Sequence, residues 1–229
     1  MKLAQLIILL FTITMCQTPD VMEHTQWAQD KLKLPFVIRQ PNKTDIPAGD
    51  STFLSWKERQ SVVLEEGYIF SLNDNKDDST FKFYSEINVD NPSLWKLSKA
   101  LLGNLDGVAY AVYNLHEEEV RYGNKIPLAD IIQKLDKIES DILNNCSVSI
   151  GVVQYENELH EVFIDESKYI KYWGTDETFF KEVMAKFGIE EKQEMDFVDQ
   201  YPKLVYDWNF VNSSAKTNEE LMRYLEVQL

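Results

Sequence analysis

The stretch SVSIGVVQYENELHEVFI, residues Ser147 to Ile164, carries the fold class of this chain. Ser147 to Tyr155 and Leu159 to Ile164 are rich in β-branched and aromatic residues, and Glu156-Asn157-Glu158 splits them. Two such runs around a short polar break read as two strands. Upstream, Pro127 opens a helix in which Leu128, Ile131, Ile132, Leu135, Ile138 and Ile142 recur three and four apart, so they form one core stripe. Downstream, Tyr169 to Trp173 reads as a strand. Thr175 or Asp176 then caps a helix carrying Phe179, Phe180, Val183, Met184 and Phe187, which Gly188 stops.

The same grammar extends in both directions. Strand patterns are expected at Thr52 to Trp56, Ser61 to Leu72 and Phe81 to Val89, the last two joined in a hairpin by the polar turn Asn73 to Asp78. Asn91-Pro92-Ser93 starts a helix with Leu94, Leu97, Ala100 and Leu101 on one face and Gly103 or Gly107 beyond its end. Val108 to Leu115 is a further strand, and Thr217 begins a final helix bearing Leu221, Met222, Tyr224 and Leu225. Hairpins with interspersed helices imply an α+β fold, its mostly antiparallel sheet covered on one face. Phe83 to Gly103 and Tyr169 to Gly188 echo each other as strand, capped turn, aromatic helix and glycine stop, the pattern a weak internal duplication would leave.

Residues 1–16 have the organisation of an export signal. Lys2 precedes an apolar run from Leu6 to Met15, and Gln17-Thr18-Pro19-Asp20 switches abruptly to polar residues. About twenty residues are needed to cross a bilayer as a helix, so the run is too short for a permanent span. Ile13-Thr14-Met15-Cys16 resembles the lipobox of bacterial lipoproteins, which implies lipid attachment at Cys16 and a membrane-anchored protein of the cell envelope. Met15 departs from that pattern, where a small residue usually precedes the cysteine. An ordinary signal cut near Cys16, and a cytoplasmic protein that keeps Ile7 to Thr14 as a buried strand, are the two competing readings. Residues 17–50 read as an N-terminal helix, with Val21, His24, Trp27, Ala28 and Leu32 on one face, followed by a proline-containing connector. Residues 51–229 then form a single globular domain.

Charge narrows the range of partners. The chain has 23 basic and 38 acidic residues, a formal net charge of -15, and no basic stripe to offset it, so nucleic acid is excluded as a partner on electrostatic grounds. A basic protein is the favoured kind of partner. Three Asn-x-Ser/Thr sequons occur, at Asn42, Asn145 and Asn212, where one or two are expected by chance, so they barely favour a glycosylated eukaryotic origin.

The chemistry-bearing candidates are few. Leu115-His116-Glu117 and Leu159-His160-Glu161 repeat a tripeptide in or at the end of strands. Were those strands neighbours, His116, Glu118 and His160 would converge as two imidazoles and a carboxylate, a set suited to a metal-dependent or acid/base hydrolase. The spacing is not that of a recognised metal motif, and no metal or other cofactor is expected. Cys146 is a nucleophile only if its pKa is lowered. There is no Gly-x-Ser-x-Gly elbow, phosphate loop or Cys-x-x-Cys pair. Tyr169, Lys171 and Trp173 share one strand face and are the interface candidates, since aromatics beside a cation suit protein contacts. These features point to a non-enzymatic protein-binding domain, similar in type to the inhibitor or immunity proteins that neutralise basic toxins, with the hydrolase as the alternative.

Overall fold

The computed structural model describes residues 29–46, 52–75, 80–116 and 118–229. The elements run β1 (Ile38–Arg39), α1 (Thr52–Arg59), β2 (Gly67–Leu72), β3 (Phe83–Asn88), α2 (Asn91–Leu101) and β4 (Val108–Leu115). They continue as β5 (Arg121–Tyr122), β6 (Ile126–Pro127), α3 (Leu128–Asp136), α4 (Glu139–Asn144), β7 (Val148–Tyr155) and β8 (Leu159–Ile164). The last are β9 (Ile170–Gly174), α5 (Glu177–Phe187), β10 (Leu204–Val205), α6 (Trp208–Val211) and α7 (Asn218–Gln228). Eight strands form one antiparallel sheet in the order β2-β3-β9-β8-β7-β4-β5, with β6 also pairing with β4. β1 and β10 pair separately.

The fold is α+β with a mostly antiparallel sheet, as the Ser147 to Ile164 hairpin implies. Strand alternation sends Phe83, Ile87, Ala111, Tyr113, Ile150, Val152, Val162, Ile164, Ile170 and Tyr172 to one face. The helices cover that face with Leu94, Leu97 and Leu101 of α2, Ile131 and Leu135 of α3, Phe180 and Met184 of α5, and Leu221 and Leu225 of α7. The two strand–helix units that echo each other in sequence lie side by side. Their strands β3 and β9 pair antiparallel, and α2 packs against α5.

Local chemistry sets the helix ends where the sequence places them. The Asp176 side chain accepts the Phe179 N–H at 2.9 Å to start α5, and Gly188 ends it at φ 73°, a left-handed conformation that glycine adopts without strain. Thr217 and Glu220 cap α7 reciprocally.

Four expectations are corrected. Thr52 to Trp56 is not a strand but the start of α1. Phe53 and Trp56 stack three residues apart with centroids at 5.8 Å, the Trp56 indole donates to the Pro41 carbonyl, and the following Lys57-Glu58-Arg59 are good helix formers. The Pro127 helix is broken in two. Its last turn tightens, with the Lys137 and Ile138 N–H groups bonding three residues back, and Ile138 leaves helical geometry at φ -120°. Asp136 is held at that break by the Trp95 indole at 2.7 Å and Lys99 at 2.8 Å, yet Ile138 and Ile142 both remain in the core. The connector is also more integrated than its composition suggests. Val37 and Ile38 join Leu32, Leu64, Cys146 and Val198 in a second small core. Beside it the Arg59 guanidinium and Asp30 carboxylate pair at 2.5 Å with both side chains fully buried. Cys16 and residues 17–28 of the expected N-terminal helix lie outside the described residues, and its last part, through Leu32, is not helical: the Lys31 and Leu32 N–H groups bond to the Leu64 carbonyl, and Leu32 sits in the second core. Among the described residues no helix is long and apolar enough to cross a membrane.

Candidate functional site

Among the described residues, the main core and its helices occupy one face of the sheet, and the other face carries a groove of about 380 Å³. Strand register builds it in two lateral rows. Tyr84, Trp173, Glu161, Val153 and Tyr110 stand opposite one another across β3, β9, β8, β7 and β4. Two residues along, Glu86, Lys171, Phe163, Gly151, Val112 and Tyr122 form the second row, ending on β5. Neighbouring strands lie about 4.8 Å apart, so side chains within a row are in direct reach of each other. Gly151 makes the floor possible. A Cβ there would meet the Val162 carbonyl oxygen at 2.5 Å and the Phe163 ring at 3.0 Å, so only glycine lets Phe163 settle across β7.

The aromatic wall is formed by Tyr84 and Trp173, whose ring centroids are 4.8 Å apart. Tyr122, 66% exposed, and Val120, 49% exposed, stand at the opposite rim. The polar groups are unequally satisfied. The Tyr84 hydroxyl donates to Glu86 at 2.8 Å, and burial, then that carboxylate, push its phenol above the ordinary value. Lys171 is committed to Asp165 at 2.8 Å and lies over the Tyr169 ring at 5.1 Å. Glu161 has no hydrogen-bond or ion-pair partner among the described residues. Its neighbours in register are Trp173 and Val153, and burial alone pushes its carboxyl up to about 7. Burial disfavours the charged form of this carboxyl, and either a proton or a neighbouring cation relieves that cost.

The residues singled out from sequence are distributed differently from the convergence they suggested. β7 lies between β4 and β8, and His160 is in register with Gln154, which faces the Ala109 end of β4. His116 follows the other end of β4, seven residues away, a separation of roughly 23 Å at strand rise. Each imidazole has its own surroundings. His116 Nδ1 is 2.7 Å from Glu166, whereas His160 Nε2 is 3.3 Å from the Thr175 hydroxyl and 3.7 Å from Glu158. Glu118 pairs with Arg121 at 2.7 Å. His116, Glu118 and His160 are therefore not brought together, and no group of three His, Cys, Asp or Glu among the described residues has metal-binding geometry. The Cys146 thiol is buried and pushed up to about 11 by that burial, the opposite of what activates a nucleophile.

Of the interface candidates, Lys171 and Trp173 line the groove. Tyr169, on the same face, is covered: its ring packs 4.9 Å from Phe197 and its hydroxyl donates to Asp199 at 3.0 Å. Glu161 enters the sequence reading only as the last residue of the Leu159-His160-Glu161 tripeptide, and nothing there marks Phe163, Tyr84, Glu86 or Tyr122. Their one sequence signal is strand alternation, which sets Glu161 and Phe163 opposite Val162 and Ile164, but alternation does not say which strands are adjacent. No family model, curated protein or solved structure matches this chain.

Proposed function

We propose that the chain is an exported, non-enzymatic protein-binding domain, tethered to the cell envelope through lipid on Cys16, that takes a basic partner on the open face of its sheet. The observation that carries the reading is the groove itself: half-buried Tyr84, Trp173 and Phe163 and the exposed Tyr122 around a carboxylate with no counter-charge, in a chain of net charge -15. Aromatic residues supply contact area at interfaces, and complementary charge steers encounter and selects the partner. Such a complex weakens as salt screens the long-range attraction.

Site-specific photocrosslinking in the source cell tests this. A crosslinker in place of the exposed Tyr122 at the groove rim is expected to capture a basic protein, with a yield that falls at high salt. One in place of the exposed Val227, on α7 at the helical side, is expected to capture none. Equal capture from both positions, or none from Tyr122, overturns the proposal. Intact mass of the mature protein addresses the anchor separately. A diacylglycerol adduct lost in Cys16→Ala is expected, and an unprocessed Met1 in a soluble fraction refutes export.

A further inference from the structure

We propose that Glu161, next to Trp173 in the register row that also holds Tyr84, marks a pocket for a single arginine side chain of the protein partner. The inference rests on the open sheet face being the binding surface, and goes beyond it by naming the group recognised.

Three features select a guanidinium. Tyr84, Trp173 and Glu161 occupy one row of the register, the two rings 4.8 Å apart and tilted at 41°, so aromatic surface lies beside the carboxylate. A planar guanidinium stacks on such a wall and still presents paired N–H donors to a carboxylate in the same plane. An ammonium is a compact, strongly hydrated charge that loses more on entering an apolar groove. The other charged groups do not compete for the ligand. Lys171 on β9 is bound to Asp165 at the end of β8, and Glu86 on β3 accepts the Tyr84 hydroxyl. β7 contributes only Gly151 and Val153 to the rows, and β4 and β5 contribute the phenols Tyr110 and Tyr122. Glu161 is thus the carboxylate left to receive a cation. Because its carboxyl is held up by burial, it is a poor receiver on the acid side of neutrality and a strong one above it.

The test uses Nα-acetyl-arginine amide, with Nα-acetyl-lysine amide and the uncharged isostere Nα-acetyl-citrulline amide as controls. Binding to the full protein is followed by NMR at the Trp173 indole and the Glu161 side-chain carboxyl. Arginine amide is expected to shift both saturably and to lower the Glu161 titration midpoint. Lysine amide should bind several-fold more weakly, and citrulline amide should not reproduce the shifts. Glu161→Gln, which keeps the shape, should lose roughly tenfold in affinity above neutral pH. Trp173→Ala should weaken arginine more than lysine. Citrulline binding as well as arginine, or unchanged arginine affinity in Glu161→Gln, overturns the pocket. If the Tyr122 crosslink still forms in that event, the surface reading survives. If the crosslink also fails, both fall.

Discussion

Burying Glu161 without a partner carries a stability cost that Glu161→Gln should relieve. The folded carboxyl titrates at about 7 against an ordinary 4.5, so between those values the native state holds a proton that the unfolded chain has released. Stability therefore falls as pH rises through that window, and the loss is complete above the folded value. The interval is worth about 3 kcal/mol at full weight, and water in the open groove screens it to about 2 kcal/mol. Glutamine fills the same space with no charge to desolvate. Urea unfolding of both proteins from about pH 5.5, safely above the isoelectric point near 4.6, to about pH 8.5 is the assay. The variant should be more stable by about 2 kcal/mol at the alkaline end, with the advantage shrinking below neutrality. Parallel pH profiles, or a variant less stable than the parent at about pH 8.5, would refute the idea that desolvation governs this carboxylate. A gain in stability paired with a loss of arginine binding is what a site strained for function should show.

Other expectations follow from individual contacts. Gly151→Ala drives a methyl group against the Val162 carbonyl oxygen at 2.5 Å, atoms of the backbone that cannot swing aside, so it should cost about 1–3 kcal/mol in urea unfolding and displace the Phe163 ring from the groove floor. Asp30→Asn removes the carboxylate that pairs with the buried Arg59 guanidinium at 2.5 Å and should cost about 3 kcal/mol, whereas a variant within 0.5 kcal/mol or so of the parent would show that the pair is not sequestered from water. His116→Ala should leave the NMR chemical shifts of the His160 ring unchanged, since the two lie roughly 23 Å apart along the strands; a displaced His160 ring signal would mean that the two sites communicate.

Much of the architecture was legible in the chain because it rests on local rules. The 3.6-residue stripe of Leu128, Ile131 and Leu135, the Asp176 and Thr217 caps, the Gly188 stop and the alternation of Val162 and Ile164 each act within a few residues. The Thr52 segment misled because a short apolar run reads equally as strand or helix, and its helical state depends on the Trp56 contact to Pro41 and on Arg59 reaching Asp30. Those partners are distant in sequence, so no local pattern announces them.

The same division holds for the function. The sequence by itself determined the fold class, the acidic balance of charge, and which side chains can lie together on one strand, because charge and alternation are properties of residues in order. Whether His116 and His160 meet, and which residues surround Glu161, are matters of strand order. β7 intervenes between β4 and β8 and separates the histidines, while β9 lies beside β8 and puts Trp173 against Glu161. Only the tertiary structure decided these, because the pairing of strands is set by burying the whole apolar face at once, and each exposed side chain goes where that packing carries it.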